Sequence, residues 1–270
     1  GNNFPLSKRC RNYIYFFHSL ASTHQIYTKS AFDNYNTIFV NGEYQLKEIK
    51  FNEKINNLKE KRLVKVGYFY LNYLRKKIKK KKLIKNTILF APSWNYKKKN
   101  LFNDYGKKII NILLENDFKI IFRPHPEMFK RNKSEILNIK NEFKTTKNFS
   151  IDYRSSNLES LQKSEFIITD NSTIGIEFAL VLKRNVIYID YQKKIHNKNF
   201  FRFKKESLEE IFRRNIGTSI PISKLEKLGV ILSNLKINRD YFIKLNNFEK
   251  KYFYNEKKAI NKAIDFLLNK

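Results

Sequence analysis

One cysteine, Cys10, stands among the 270 residues. A lone thiol excludes an internal disulfide and any cysteine-rich metal centre, and it fits a reducing compartment. No His or Asn lies near Cys10 in a recognisable catalytic motif, so it reads as a spare thiol rather than a nucleophile. Long apolar runs are missing too. None approaches the roughly 20 residues that span a bilayer, and no signal peptide is visible. The chain starts at Gly1 and its only methionine is Met128, so an upstream segment, with any targeting information, is expected to precede it. Four signatures are absent: Gly-x-Gly-x-x-Gly, a Walker loop, His-Glu-x-x-His and Gly-x-Ser-x-Gly. Their absence argues against a dehydrogenase, a P-loop ATPase, a zinc protease and a serine hydrolase.

Acidic residues are scarce beside basic ones, 25 against 55, for a net charge of +30. Such a charge attracts polyanions: nucleic acid, anionic lipid or a phosphorylated polymer. The plainer reading is compositional bias, since Lys, Asn, Ile, Phe and Tyr are abundant together. A hydrophobic content of 41%, with 15% aromatic residues, predicts a folded chain despite 30% charge.

Short apolar runs alternate with amphipathic stretches. Strands are expected over 13–17, 37–40, 63–66, 87–91, 118–122, 149–151, 166–169 and 186–189. Helices are expected over 43–60, 68–80, 105–115, 155–164, 207–214, 223–235 and 247–268, with others through Glu135–Ile139 and from Thr173 to Leu182. Alternation of this kind implies parallel sheets with helices on both faces. The charge run 75–85 marks a boundary, giving segments 1–82, 83–246 and 247–270.

Polar clusters fall at the expected strand ends, where ligands of parallel sheets bind. They are His18-Ser19, Pro92-Ser93-Trp94, Arg123-Pro124-His125-Pro126, and Asp170-Asn171-Ser172-Thr173 with Glu177. The last opens a helix, whose start offers free N–H groups and a positive dipole end to a phosphate. Arg123 and a proline-fixed His125 suit a diphosphate; the plainer reading is a loop salt bridge and a helix cap. Ser172 and Thr173 either contact that diphosphate, cap the helix, or both. Glu177, one turn on, suits a ribose diol or pairs with a Lys. His18 is the candidate general base. Ser19, His24 and Asp170 are acceptor-side or structural candidates, with His24 packing locally and Asp170 capping its turn. His196, in a loop rich in Lys and Asn, reads as surface. No second ligand stands at metal spacing from His125, so no metal is expected.

In this order, the His-Ser loop, Gly67-Tyr68, Ala91-Pro92-Ser93-Trp94, Arg123-Pro124-His125-Pro126 and Thr169-Asp170-Asn171-Ser172-Thr173 resemble the CDP-glycerol glycerophosphotransferase family. That family includes polymerases and primases of wall teichoic acid and related capsule enzymes. The resemblance covers about His18 to Tyr191. It implies a GT-B fold of two Rossmann-like halves facing across a cleft. It places the family's base on His18, its His-Pro histidine on His125 and its Ser-Ser pair on Ser172 and Thr173. Three positions depart from the pattern: Ser19 replaces a glycine, Asn171 a tyrosine, and Asn95 a common basic residue.

On this resemblance, 1–82 is the C-terminal part of an incomplete acceptor-side domain, 83–246 the donor-nucleotide domain and 247–270 a C-terminal helix. The donor site is expected to hold Ser93, Arg123, His125, Asn171, Ser172, Thr173 and Glu177. The implied reaction moves glycerol phosphate from CDP-glycerol to a hydroxyl of a cell-surface polymer or lipid-linked acceptor, with no cofactor required. Expected partners are the nucleotide-activated donor, an anionic polymer or lipid-linked acceptor and an anionic membrane. The expected place is the cytoplasm, peripheral on the inner face of the membrane. The alternatives are a GT-B glycosyltransferase using a CMP- or UDP-activated sugar, and a non-enzymatic polyanion- or nucleic-acid-binding protein. The basic residues are spread out and no nucleic-acid motif appears, so nucleic acid is not the expected partner.

Overall fold

The computed structural model describes residues 12–78, 82–95, 99–255 and 257–269. Cys10 and residues 79–81 of the expected boundary run lie outside them. In chain order the elements are β1 (Ile14–Phe16), α1 (Thr23–Ile26), β2 (Thr37–Val40), α2 (Glu43–Ile55), β3 (Arg62–Lys65), α3 (Phe69–Lys77), β4 (Thr87–Phe90), α4 (Leu101–Glu115), β5 (Lys119–Phe122), α5 (Pro126–Arg131), α6 (Lys133–Glu142), β6 (Phe149–Ile151), α7 (Leu158–Lys163), β7 (Phe166–Thr169), α8 (Ile174–Leu182), β8 (Val186–Asp190), α9 (Leu208–Asn215), β9 (Thr218–Pro221), α10 (Leu228–Asn234), α11 (Arg239–Tyr252) and α12 (Ala259–Leu268).

These elements form two units. The first comprises residues 1–76, 194–211 and 246–270; the second comprises 77–193 and 212–245. Residues 194–211 therefore pack with the first unit, although the sequence reading kept them in 83–246. Backbone bonds draw them there: His196 and Asn197 N–H donate to the Gln25 carbonyl at 2.9 Å, and Leu208 N–H donates to Ser22 Oγ at 2.8 Å.

The first unit is built on a parallel sheet of order β1-β2-β3. Its central strand alternates as a pleat requires. Ile38 and Val40 join Phe17, Phe32 and Ile49 in one apolar cluster. Phe39, between them, joins Val66, Ala259 and Ala263 in another. The final helix α12 thus completes the core on one face of the sheet. Gly67 turns the chain after β3 at φ +96°, and a Cβ there would lie 2.1 Å from the Tyr254 carbonyl oxygen. Only glycine fits that turn.

The second unit holds a six-stranded, wholly parallel sheet of order β6-β5-β4-β7-β8-β9. Counted within the unit this is 3-2-1-4-5-6, the doubly wound order, and the strand order reverses between β4 and β7. β4 and β7 are buried along their whole length, as strands covered on both faces must be. The core gathers Ile88, Phe90, Ile109, Leu113, Phe122 and Ile168, with Phe102 stacked on Phe122 at 4.8 Å.

Four local expectations change. A short helix, α5, forms where none was expected, and Pro126 opens it at its first position, where a missing N–H costs nothing. α4 starts at Leu101, ahead of the expected Tyr105, because Asn100 caps it by accepting from Asn103 N–H at 3.0 Å. β9 follows Gly217 as an unexpected edge strand, paired through Ile189 and Ile220. The expected helix over 247–268 is two helices, parted where Asn255 turns left-handed at φ 46° and Tyr254 N–H donates to the Asn41 carbonyl at 2.9 Å.

Candidate functional site

In the second unit, the carboxyl ends of β4 and β7 lie side by side at the point where strand order reverses. Asp170 leaves β7 there and Ser93 follows β4. Ser93 N–H donates to Asp170 Oδ1 and Ser93 Oγ donates to Oδ2, each at 2.7 Å. Both residues are buried. Asp170 therefore acts as a clasp between two strand ends, and both its oxygens are turned to Ser93. Ser93, expected at the donor, has its N–H and hydroxyl engaged in that clasp.

The chain then turns into α8. Asn171 donates from Nδ2 to the Gln192 carbonyl at 2.8 Å, tying this turn to the loop after β8. Ser172 and Thr173 are half-buried. Thr173 is the N-cap residue and makes no side-chain cap. Among the described residues, Ser172 Oγ makes one long hydrogen bond, accepting from Ile174 N–H at 3.5 Å. Gly175 lets α8 press on β8, since a Cβ would sit 2.7 Å from Tyr188 Oη. Glu177 is buried within α8. A small-residue helix start beside a strand end, with its dipole unopposed by Asp170, is chemistry for an anion.

Arg213 was not anticipated. From α9 it donates to the Asp170 carbonyl and to Asp190 Oδ1 at 2.9 Å, with its guanidinium 4.8 Å over the Tyr188 ring. It braces the turn that carries Asn171 and Ser172.

Arg123 follows β5 as expected, but its donors are engaged elsewhere. Nη1 reaches Asp152 Oδ2 at 2.7 Å and the Ser156 carbonyl at 3.3 Å, and Nη2 reaches the Ser155 carbonyl at 3.1 Å. Arg123 therefore makes the loop salt bridge, with both terminal nitrogens bonded to the loop beyond β6. The cause is Asp152, whose side chain is fully buried. Burial pushes its carboxyl up, but hydrogen bonds from Arg154 and Ser160 and the charge of Arg123 outweigh burial and hold it at about 2.

His125 caps α5, its Nδ1 accepting from Glu127 N–H at 3.2 Å. An accepting Nδ1 places the proton of the neutral ring on Nε2. The imidazole lies 5.8 Å from the Trp94 ring, and Arg131 lies 5.4 Å over that indole. The ends of β4 and β5 thus gather Trp94, His125 and Arg131.

In the first unit, His18 is exposed just past β1. Its carbonyl accepts from Tyr68 Oη at 2.9 Å, and the Ser19 carbonyl accepts from Asn41 Nδ2 at 3.2 Å. The loops after β1, β2 and β3 are thereby joined while the imidazole faces solvent.

His24 is buried in α1, with Nδ1 3.0 Å from Glu48 Oε1 and side-chain exposures of 6% and 2%. The two are in ion-pair contact, and Nδ1 makes no hydrogen bond among the described residues. Glu48 Oε2 accepts from Thr23 N–H, Thr23 Oγ1 and His24 N–H. Glu209 accepts from Ser22 N–H at 3.1 Å, and burial raises its carboxyl to about 6. His196 is half-buried rather than on the surface. Burial, aided by the charge of Lys194, lowers its imidazole to about 4.

Glu48, Glu209, Asp152 and Arg213 escaped the sequence reading. Only Glu48 carried a signal there, for it adjoins Ile49 on the inward side of α2. Among the described residues, no group of three His, Cys, Asp or Glu is placed to hold a metal, and no helix is long and apolar enough to cross a membrane.

Residues 21–218 match the sequence model of CDP-glycerol:poly(glycerophosphate) glycerophosphotransferases. The minor teichoic acid biosynthesis protein GgaB of Bacillus subtilis (strain 168) is 25% identical over 173 residues, which is 62% of this chain but only 17% of that protein. Among solved structures, the wall teichoic acid polymerase TagF is similar at TM-score 0.54 and 19% identity, over 96% of this chain and 69% of the polymerase chain. A His-to-Asn variant of TagF soaked with CDPG gives 0.52 and 18%, over 89% and 57%. MnaA of S. aureus, solved with UDP, gives 0.55 and 12%, over 87% and 61%. At these identities the likeness speaks to fold, and the fold is α/β and GT-B-like.

Proposed function

The chain belongs to the CDP-glycerol:poly(glycerophosphate) glycerophosphotransferase family, and from that premise we propose that it moves glycerol phosphate from CDP-glycerol to a hydroxyl of a cell-surface polymer or lipid-linked acceptor. The observation that carries this reading is the Ser93–Asp170 clasp at the reversal of strand order. It turns the one carboxylate of that loop away from the start of α8, so the helix start can receive a diphosphate.

In this reading the acceptor hydroxyl oxygen attacks the β-phosphorus of the donor. Its proton passes to the imidazole of His18. The bond from the β-phosphorus to the bridging oxygen breaks, and CMP leaves with that electron pair. Ser172, Thr173, the N–H groups opening α8 and the Nε2–H of His125 receive the charge that builds on the diphosphate. Asp170, Ser93 and Arg213 position the turn, and Arg123 holds the loop beyond β6. Glu177, buried in α8, serves the packing of that helix. The net charge of +30 draws the protein to an anionic polymer or to the inner face of an anionic membrane.

The test is turnover with a glycerol-phosphate primer. CMP is expected from CDP-glycerol and not from CMP- or UDP-activated sugars; the reverse overturns the proposal. His18→Ala is expected to abolish CMP release while CDP-glycerol still binds. His125→Ala is expected to weaken donor binding about tenfold, as loss of one charge-directed hydrogen bond does.

A further inference from the structure

The first unit contains a pocket away from its strand ends, formed by α1, α2 and the loop around 197–203. It opens to solvent, and every residue lining it belongs to this unit. Its walls are of two kinds. Tyr27, Phe32, Phe51 and Phe203 present aromatic rings, with Phe203 5.0 Å from both the His24 and the Phe51 rings. Against them stands the buried His24–Glu48 pair. Nδ1 of His24 faces Glu48. Nε2 makes no hydrogen bond among the described residues and is not sealed from the pocket.

These walls restrict the ligand. A phosphate finds little here: α1 spans only four residues, and the N–H groups at its start already go to Glu48 and Glu209. The one lysine at the lining is Lys29, and an anion would meet the Glu48 carboxylate. A wholly apolar ligand would cover the imidazole Nε2 and leave it without a partner, which disfavours such a ligand. A ligand with C–H faces and several hydroxyls satisfies both walls. Its C–H faces pack on the rings, and one hydroxyl, which can donate or accept, pairs with Nε2.

We infer that this pocket binds a neutral polyhydroxylated unit, a sugar ring or an alditol, through a hydroxyl paired with Nε2 of His24. The binding stands on the pocket alone; that the unit belongs to the acceptor rests on the functional reading above.

The experiment is saturation-transfer NMR and calorimetry on the full chain. The probes are methyl β-glucoside, N-acetylglucosamine, ribitol and glycerol, with CDP-glycerol and CMP measured separately. At least one neutral probe is expected to bind with Kd in the range of about 1–10 mM. His24→Gln is expected to weaken it about tenfold. Asn199→Trp, placed at an exposed lining residue, is expected to fill the pocket and abolish neutral-probe binding while CDP-glycerol binding is unchanged. The inference is overturned if no neutral probe binds a chain that binds CDP-glycerol, if binding survives Asn199→Trp, or if CMP displaces the neutral probe. Binding of a neutral probe without CDP-glycerol keeps the pocket and removes the donor reading.

Discussion

Ser22-Thr23 and Ser172-Thr173 are the same dipeptide, each following a strand of a parallel sheet and opening a helix. Their surroundings are opposite. At the first, Glu48 and Glu209 take the N–H groups of Thr23 and Ser22, so the helix start is internally neutralised and closed. At the second, Asp170 at the end of β7 is held by Ser93, and the helix makes no side-chain cap. A hydroxyl pair at a helix start is therefore not an anion site by itself. What decides is whether a carboxylate elsewhere in the fold has reached it first.

The largest effect that can break this comparison is Glu48→Ala. It removes a buried carboxylate with three donors and an imidazole around it. Loss of one partner from a buried pair costs about 3–5 kcal/mol, and denaturant unfolding is expected to show it. A loss below about 1 kcal/mol would mean that Glu48 does not close this helix start.

The matched serines give the sharper contrast. Ser22→Ala leaves the buried N–H of Leu208 without its acceptor, at a cost of about 1–3 kcal/mol, with CDP-glycerol binding unchanged. Ser172→Ala has only a 3.5 Å contact to lose. It is expected to change stability by about 0.5 kcal/mol or less, as surface substitutions do, yet to weaken CDP-glycerol binding. Equal behaviour of the two variants in both assays would erase the distinction.

The smallest effect is in pH. Glu209, raised to about 6, favours folding when protonated. That contribution is full below the ordinary glutamate range near 4.3 and is lost as pH rises through about 6. Asp152, held at about 2, acts in the opposite sense: its contribution is present above about 4 and is lost as pH falls through about 2. Glu209→Gln is expected to flatten thermal stability between pH 4 and pH 6, and an unchanged profile there would count against a charged Glu209 at this helix start.

The sheet of the second unit was legible because β4, β5, β7 and β8 are apolar runs bounded by polar turns, and their residues are buried where the runs predict. β9 was not, since Thr-Ser-Ile-Pro buries only Ile220 and reads as a loop. α5 was hidden because Pro124-His125-Pro126 carries no helical apolar pattern, although Pro126 suits a first turn. The break near Asn255 carries no Gly or Pro to announce it. The strand-end clusters were visible as composition, but their bonding was not. The bond from Arg123 to Asp152, 29 residues away, is one such case. Glu209 meets Ser22 across 187 residues, a separation no local pattern encodes.

The junction between α11 and α12 has a consequence for the order in which the chain becomes structured. Tyr254 N–H bonds to Asn41, Asn255 Nδ2 to the Lys65 carbonyl, and Ala259 N–H to Asn72. During synthesis the β1–β3 segment emerges before the six-stranded sheet, yet its core lacks Ala259 and Ala263 until residues beyond that sheet have been made. The six-stranded sheet, by contrast, has every strand in hand by Pro221. The ribosome thus delivers the later unit in a form able to fold while the earlier one waits with apolar surface uncovered. Its closing contacts are also among the longest in sequence, which slows their formation. Translation arrested near residue 245 is expected to yield a chain protected from protease over 87–221 and cut within 12–76.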